Sequence, residues 1–274
     1  EVPRSGLVVL YSNGTTHPAQ AWLLLRQAGW TNVRVLTDGL LAFWRQCLTP
    51  PSLQEGADPA TAAGAGAAFA ARRAYFLEGK DIKKPASPAP AVPALAAGGL
   101  QKRLVSTDWL VAQASNAAIR ILDVRAKGTA YTTGHIPGAL YLNPEQIRST
   151  VGGIPSLVVP ADELAAIFGR LGIGPADTVI LYSDAFRDAT LVGMALDRVG
   201  HASWAILNGG FDQWKAEKRP LDTAFPAVTP RQYTARVGAD TFTVDVEGVK
   251  AALGDGRTQI LDTRPADYFS GAKS

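Results

Sequence analysis

Two stretches of the chain repeat one another about 171 residues apart, and this duplication limits the folds that the chain can adopt. Leu10-Tyr11 and Leu181-Tyr182 each precede a serine, and a glycine follows that serine 17 positions later in both copies, at Gly29 and Gly200. The repeating units of solenoid proteins are only about 20–50 residues long. The longer period therefore predicts duplicated domains.

Each copy alternates apolar strands with helices. The clearer copy predicts a strand over 178–182, a loop over 183–188, a helix over 189–199 and a strand over 204–207. The first strand is apolar and rich in β-branched residues, as expected for a strand covered on both faces. The alternation predicts an α/β fold in which helices cover both faces of a central parallel sheet.

The other copies show the same pattern. Around the first loop we predict strands over 7–11 and 33–36 and a helix over 18–28. Elsewhere the apolar periodicity predicts further helices over 107–114, 160–171 and 244–253, and further strands over 119–124 and 259–263.

Composition divides the chain into four parts. Residues 1–50 correspond to the C-terminal half of one domain, and residues 104–225 correspond to a complete domain. Residues 51–103 are rich in Ala and Pro and are interpreted as a linker, with a possible helix over 61–77. Residues 240–274 are interpreted as the start of a further copy.

The last part matches the complete domain in its details. Residues 260–271 align with residues 121–134 through Ile-Leu-Asp-x-Arg and Tyr-x-x-Gly. Because an unpaired sheet edge invites aggregation, we expect the two half-domains at the chain ends to associate as one sheet. The start at Glu1 is interpreted as that of a fragment or a processed product.

Composition also excludes several classes of function. The chain has one cysteine and three widely spaced histidines, so a disulfide framework and a metal site are not expected. The net charge is +3, and its Lys and Arg residues form no basic stripe, which argues against nucleic-acid binding. No run of 18 apolar residues is present, so no membrane span is expected. We expect no cofactor.

The combination of ILDVR, GHIPGA, a six-residue loop between a strand and a helix, and LNGGFDQW resembles the rhodanese (sulfurtransferase) family. The resemblance covers residues 104–220 fully, and residues 6–50 and 240–274 in part. It implies a rhodanese-like central parallel sheet, repeated in tandem as in multidomain bacterial members. It also implies a loop cysteine that accepts sulfane sulfur from thiosulfate as a persulfide and passes it to cyanide or a thiol.

The chain departs from this family at the nucleophile position, where the cysteine is replaced by serine. A serine hydroxyl stays protonated without a base, and an oxygen cannot hold a transferable sulfane sulfur. His17 is a conceivable base, but no acid partner is evident beside it. We interpret both stretches as degenerate active-site loops, comprising Ser183, Asp184, Ala185, Phe186, Arg187 and Asp188 in one copy and Ser12, Asn13, Gly14, Thr15, Thr16 and His17 in the other.

Several other polar residues are interpreted as supporting the fold. The resemblance places them near the mouth of the site, in two strand-end pairs and one turn: Asp123, Arg125, His135, Asp262 and Arg264. Cys47 lies well past the first loop and is interpreted as a partly buried structural residue. Arg187 is expected to form a surface ion pair with a neighbouring carboxylate.

Three functions follow as hypotheses. The first is a multidomain sulfurtransferase that moves sulfane sulfur from thiosulfate to a thiophilic acceptor, with its catalytic cysteine beyond Ser274. The second is a set of non-catalytic binding or scaffolding modules, whose partner is a thiosulfate-like anion or a protein sulfur acceptor. The third makes Ser183 the nucleophile of a phosphatase or esterase, and it lacks a base. The resemblance favours the bacterial periplasm over the cytoplasm.

Overall fold

The computed structural model describes residues 6–13, 15–37, 39–49, 69–70, 74, 103–151, 154–252 and 257–269. The strands are β1 (Val8–Tyr11), β2 (Val33–Leu36), β3 (Leu104–Val105), β4 (Ile119–Asp123), β5 (Leu140–Tyr141), β6 (Arg148–Val151), β7 (Ile154–Val158), β8 (Thr178–Tyr182), β9 (Trp204–Leu207), β10 (Thr243–Val244) and β11 (Gln259–Asp262). The helices are α1 (Thr16–Gln27), α2 (Gly39–Phe43), α3 (Thr107–Ala112), α4 (Gly128–Thr133), α5 (Ala161–Arg170), α6 (Phe186–Arg198), α7 (Gly210–Ala216), α8 (Val246–Ala252) and α9 (Ala266–Phe269). A π-helix covers Trp44–Leu48, and a 3-10 helix covers Pro144–Ile147.

The central sheet has five parallel strands in the order β3-β9-β8-β4-β5. Ile180 of β8 lies between Ile121 of β4 and Ala205 of β9. Separate apolar clusters cover the two faces of this sheet, because neighbouring residues of each buried strand point to opposite sides. The predicted α/β fold with a central parallel sheet is confirmed.

A second parallel sheet joins the two ends of the chain. Its order is β10-β2-β1-β11, so strands from residues 8–36 lie between strands from residues 243–262. Val9 of β1 pairs with Ile260 of β11 on one side and Arg34 of β2 on the other. The expected association of the half-domains is confirmed, and this chain-end sheet repeats the order β3-β9-β8-β4.

Equivalent helices hold the two sheets together. Helix α1 follows β1 as α6 follows β8, and α1 packs against α6. Trp22 of α1 and Leu191 of α6 belong to one continuous apolar core. The Trp22 ring also lies 4.6 Å from the ring of Phe242, measured between centroids. The two copies are therefore related by an approximate pseudosymmetry, with their equivalent helices at the junction.

Some elements differ from the predictions. Helix α6 begins at Phe186, three residues before the predicted start, because its first turn carries the exposed Phe186 and Arg187 and so lacks the apolar periodicity. The predicted loop over 183–188 is correspondingly shorter. An antiparallel hairpin, β6-β7, was not predicted at all, because the strand Arg148–Val151 is mostly polar.

The linker prediction falls almost entirely outside the described residues. Of the possible helix over 61–77, the structure describes only residues 69, 70 and 74, and all three are helical. The domain boundaries at residues 50, 103, 225 and 240 stay predictions. Within the described ranges, every helix is too short or too polar to span a bilayer.

Candidate functional site

Ser183 is the first residue of the loop between β8 and α6. Its side chain is buried, and its hydroxyl donates a hydrogen bond to the Val124 carbonyl at 3.4 Å. The same oxygen accepts a hydrogen bond from the Ala185 N–H at 3.2 Å. Both contacts are with the backbone, so the described residues give Ser183 no side-chain base that could activate it.

A glycine turn approaches the backbone of each serine loop closely. Gly210 has φ +58°, and a Cβ there would lie 2.3 Å from the Ser183 carbonyl oxygen. Gly39 has φ +64°, and its Cβ would lie 3.0 Å from the Ser12 carbonyl oxygen. Since that φ region and that approach both favour glycine, the two turns are equivalent.

In the sequence, Trp44 and Trp214 are the tryptophans that follow the two glycine turns, and their residue type predicts that they match; the equivalence of the turns corrects this match. Four residues after Gly210 comes Trp214, which is buried, and four residues after Gly39 comes Phe43, which is also buried. Trp44 instead points outward and is 46% exposed. The sequence suggested Trp44 because the aromatic residue types matched, although the spacing differed by one residue.

A cavity of about 590 Å³ lies between the two copies, beside the Ser12 loop. We call it the interdomain cleft. Its wall includes the β6-β7 hairpin, which the Thr15 hydroxyl contacts through a 3.5 Å hydrogen bond to the Ser156 carbonyl. The cleft is lined by residues of both copies, namely Ser12, Asn13, Thr16, His17, Ala126, Glu145, Arg148, Ser156, Arg187, Asp188, Arg264, Pro265 and Tyr268.

Three guanidinium groups face two carboxylates in this cleft. Arg148 pairs with Glu145 at 3.1 Å, and Arg187 pairs with Asp188 at 3.8 Å. The predicted ion pair of Arg187 is therefore present, and Arg187 remains 57% exposed. The Nε atom of Arg148 is buried and has no hydrogen-bond partner in the described part of the chain. Arg264 pairs with Asp262, so each of the three guanidinium groups has a carboxylate partner, and the buried Nε of Arg148 is an unused donor.

The Asp188 carboxyl has a shifted pKa. Burial raises its pKa above the ordinary value, and the positive charges of Arg187 and Arg148 partly oppose this. Desolvation penalises the charged form of a carboxyl, so an ionised Asp188 is less stable in the folded protein than in water.

The two acids that flank Arg187 lie in different surroundings. Asp188 lines the cleft, whereas Asp184 does not, and its main electrostatic neighbours are Arg125 and Asp212. Burial is the largest influence on Asp184 and raises its pKa. The charged residues of this segment therefore face two different sites: Arg187 and Asp188 line the interdomain cleft, and Asp184 lies near Arg125.

Asp123 and Arg125 form a buried fork at the end of β4. Arg125 Nε lies 3.0 Å from both Asp123 carboxylate oxygens, and Nη2 lies 2.6 Å from Oδ2. The Tyr182 hydroxyl donates to the same carboxylate at 2.8 Å, and Arg125 also donates to the Gly134 carbonyl at 2.8 Å. Burial and Asp123 raise the pKa of Tyr182. The fork joins β4, β8 and the turn after α4.

Asp262 and Arg264 repeat this fork in the chain-end sheet. Arg264 Nε lies 3.0 and 2.9 Å from the two Asp262 oxygens, and Nη2 lies 2.6 Å from Oδ2. Burial and Asp262 raise the pKa of Tyr11 to about 12. Arg264 reaches the interdomain cleft, whereas Arg125 does not.

His135 is fully buried in the turn after α4. Its Nδ1 lies 3.0 Å from the Tyr131 carbonyl, and its Nε2 lies 3.2 Å from the Ala224 carbonyl. Its ring stacks on the Tyr131 ring at 3.9 Å. These contacts tie the turn to residues beyond α7, so His135 contributes packing and lies away from the cleft.

The remaining predicted residues are placed as follows. His17 lines the cleft from the first turn of α1, and no hydrogen bond joins it to Ser12 among the described residues. Cys47 is fully buried in the apolar core of the chain-end sheet, more deeply than predicted. Gly14 lies outside the described residues. No group of three potential metal ligands comes together in the described ranges.

Sequence reasoning missed the cleft residues that come from distant segments. Glu145 lies in the 3-10 helix before the hairpin, Arg148 begins β6, and Tyr268 lies on α9. Neither segment carries a motif that signals a site. The one usable signal was the alignment of residues 260–271 with residues 121–134, which brings Arg264 to the equivalent of Arg125.

The described geometry can be compared with known proteins. Residues 106–217 match the rhodanese-like domain. A Synechococcus elongatus protein with thiosulfate sulfurtransferase in its name is 33% identical over 181 residues, which cover 65% of this chain and 56% of that protein. The sulfur carrier protein TtuD of Thermus thermophilus is 29% identical over 172 residues, covering 61% of this chain and 60% of TtuD.

The crystal structure of SseA from Escherichia coli, described as having the rhodanese fold, superimposes with a TM-score of 0.55 at 24% identity. The match covers 62% of this chain and 68% of SseA, and it shows the fold alone. The chain spans 56% and 60% of the lengths of the two curated relatives. Residues 106–217 of the chain therefore form a rhodanese-like domain.

Proposed function

We propose that the protein is a rhodanese-like sulfurtransferase whose interdomain cleft binds a small sulfur-containing anion such as thiosulfate. The observation that carries this proposal is the convergence of Arg148, Arg187 and Arg264 from both copies beside the Ser12 loop. Guanidinium groups recognise oxyanions through charge-assisted hydrogen bonds. Relatives named for thiosulfate sulfurtransferase activity and for sulfur carriage support the substrate class.

The serines restrict what the described loops can do. In sulfur transfer, a thiolate attacks the outer sulfur of thiosulfate, the sulfur–sulfur bond breaks, and sulfite leaves with the bonding electrons. The hydroxyls of Ser12 and Ser183 stay protonated without a base and cannot form a persulfide. We therefore propose that these two loops bind without transferring sulfur. A catalytic cysteine beyond Ser274 stays a prediction.

Thiosulfate titration of the 274-residue chain tests the proposal, with isothermal calorimetry as the readout. We expect saturable binding that weakens about tenfold or more in Arg187→Ala, because a charge-assisted contact is lost. Arg170→Ala is the matched control, since Arg170 is exposed at the end of α5, outside the cleft lining, and should bind like the unmodified chain. Absence of saturation, or equal losses in both variants, would contradict the proposal.

The second candidate is a non-catalytic module that docks a protein sulfur acceptor at the same cleft. The serine at both nucleophile positions favours it, because a module without a thiolate can still position a partner. A competition experiment distinguishes the two candidates. If a protein acceptor binds the chain and thiosulfate displaces it, the acceptor occupies the cleft and the second candidate is favoured. Binding of thiosulfate without binding of an acceptor favours the first candidate.

A further inference from the structure

Two arginines from distant segments share one buried carboxylate at the amino ends of the central strands. Asp177 directly precedes β8 and is 5% exposed. Its Oδ2 atom lies 3.2 Å from Arg120 Nε and 3.1 Å from Arg231 Nη1, and it accepts a hydrogen bond from the Gly174 N–H at 2.9 Å. One negative charge therefore faces two positive charges, whereas each guanidinium group of the interdomain cleft has a carboxylate of its own.

Close backbone packing holds Arg231 in this position. Arg231 belongs to the segment 226–240, which leads from the central domain to β10, and its N–H donates to the Gly169 carbonyl at 2.8 Å. A Cβ atom at Gly174 would lie 2.9 Å from Arg231 Nη1, and one at Gly169 would lie 2.5 Å from the Arg231 carbonyl oxygen. Because glycines at these positions permit such close approaches, the Arg231 guanidinium can lie beside Asp177.

The two guanidinium groups line a cavity of about 270 Å³, which we call the amino-end cavity. The Asp177 side chain is not part of its wall. Among the described lining residues, the charged ones are therefore Arg120 and Arg231, and both are positive. Other parts of the wall come from apolar and small side chains, namely Ile119, Leu140, Val228 and Thr229.

Both arginines keep N–H groups that a ligand could use. Arg120 contacts Asp177 through Nε, and Arg231 contacts it through Nη1. The other guanidinium nitrogens of the two residues make no hydrogen bond within the described part of the chain. Since both groups contact the same carboxylate oxygen, they lie side by side and can reach one anion together. Guanidinium groups bind oxyanions through strong charge-assisted hydrogen bonds.

The amino-end cavity lies at the end of the central sheet opposite the serine loop. Arg120 is the second residue of β4 and Asp177 precedes β8, whereas Ser183 follows β8. The described linings of the amino-end cavity and the interdomain cleft have no residue in common. Binding at the amino-end cavity is therefore independent of the function proposed for the cleft.

We infer that the amino-end cavity binds a small tetrahedral oxyanion, either inorganic phosphate or the phosphoryl group of a small phosphate ester. Arg120 and Arg231 donate to its oxygen atoms, and its charge balances the guanidinium group that Asp177 leaves without a counterion. Because Arg231 comes from the segment 226–240, the bound anion also fastens that segment to the central domain.

Hydrogen exchange of the 274-residue chain at increasing phosphate concentration tests the inference, because this measurement both detects and locates the bound ion. We expect saturable slowing of exchange within residues 228–233, which include Arg231. Sodium chloride at matched ionic strength controls for screening and should give no saturable slowing. Glycerol 3-phosphate, titrated in the same way, distinguishes the two sources of the anion: the ligand that saturates at the lower concentration identifies the source, and saturation by either one supports the inference.

Two glutamine variants in the same segment form a matched pair. Arg231→Gln removes a positive charge from the wall of the cavity, and Arg236→Gln removes one from an exposed position outside that wall. We expect Arg231→Gln to weaken phosphate binding about tenfold or more, because a charge-assisted contact is lost. Arg236→Gln should bind phosphate like the parent chain, and both variants should keep its circular dichroism.

Arg120→Gln supplies a second readout from a different element, since Arg120 lies on β4. Calorimetric titration with phosphate should show a loss similar to that of Arg231→Gln. Arg187→Ala, which alters the interdomain cleft, should leave the slowing within residues 228–233 unchanged, so that binding at the two sites is measured separately. Failure of phosphate and glycerol 3-phosphate to saturate, equal binding by Arg231→Gln and Arg236→Gln, or slowing that Arg187→Ala abolishes would overturn the inference.

Discussion

At the scale of single residues, the chemistry of the cleft is set by charged groups that are only partly neutralised. Arg187 has its carboxylate partner at 3.8 Å, a longer distance than the 3.1 Å between Arg148 and Glu145. Asp188 is nearly buried, yet no arginine lies close enough for a short hydrogen bond in the described structure. A small anion could therefore bind Arg187 without first breaking a strong ion pair.

Asp188→Asn tests this charge balance through its pH dependence. The folded protein raises the pKa of Asp188 above its ordinary value of 3.8, so the ionised carboxylate lowers stability at neutral pH. The penalty is absent below the ordinary pKa. It grows as the pH rises from the ordinary pKa to the raised pKa of the folded protein, and it is complete above that pKa. We expect Asp188→Asn to raise the free energy of unfolding at pH 7 and to leave it unchanged below about pH 3.5.

Urea unfolding at the two pH values measures the difference. Asp162→Asn is the control, because Asp162 is an exposed residue in the first turn of α5. Equal stabilisation by Asp188→Asn at both pH values would contradict the assigned pKa direction.

At this scale, the sequence predicted residue types better than residue positions. The Asp-x-Arg pairs and the serines followed from motif alignment, because each lies at the end of a strand whose register is fixed by burial. The role of Arg148 could not be predicted, because its approach to the Ser12 loop depends on a hairpin from the other copy. The exposed position of Trp44 was also not predicted, because one residue of spacing decides which aromatic side chain faces the core.

At the scale of the elements, the two Asp-x-Arg forks share one aspartate–arginine geometry in different surroundings. The Arg125 side chain is 3% exposed, and the Arg264 side chain is 18% exposed. Arg264 borders both the interdomain cleft and a second cavity, beside β11. Solvent can therefore reach one fork and is excluded from the other.

Replacement of each arginine by alanine should reveal the difference between the two environments as a difference in unfolding free energy. Arg125→Ala leaves a buried Asp123 carboxylate without its partner and should cost about 3–5 kcal/mol of unfolding free energy. Arg264→Ala should cost less, since water entering from the two cavities can solvate Asp262. Chemical denaturation of both variants measures the difference, and an equal or larger loss in Arg264→Ala would contradict it.

Strand and helix positions were largely predictable, because apolar runs of four or five residues alternate with amphipathic segments in both copies. Strands over 178–182, 204–207 and 33–36 match the structure residue for residue. The start of α6 was placed too late, since its first turn is exposed. The β6-β7 hairpin was missed, because polar residues in a short antiparallel pair give no buried pattern to detect.

At the scale of the whole molecule, the chain-end sheet depends on segments more than 200 residues apart. Residues 8–36 contribute its two inner strands, and residues 243–262 contribute its two outer strands. Phe242 adds an aromatic contact to Trp22 in the core shared by both copies. The two ends of the chain therefore stabilise each other.

Removal of residues 240–274 tests this dependence. The truncated chain should keep the central domain folded and lose the structure of residues 6–49, because β1 and β2 each lose a neighbour. Limited proteolysis with mass spectrometry should find new cleavage sites within residues 6–49 and none within β4 or β8. Glu247→Ala, an exposed change in α8, is the control and should keep the parent pattern. An unchanged pattern after truncation would contradict the pairing.

The most direct test of the central claim is the intact mass of the chain after incubation with thiosulfate and desalting. We expect no added sulfur on the unmodified chain, because serines stand at both loops and Cys47 is fully buried. Ser12→Cys should gain the mass of one sulfur atom, since nearby Arg148, Arg264 and His17 favour a thiolate there. Sulfur bound to the unmodified chain at Ser12 or Ser183 would contradict the account.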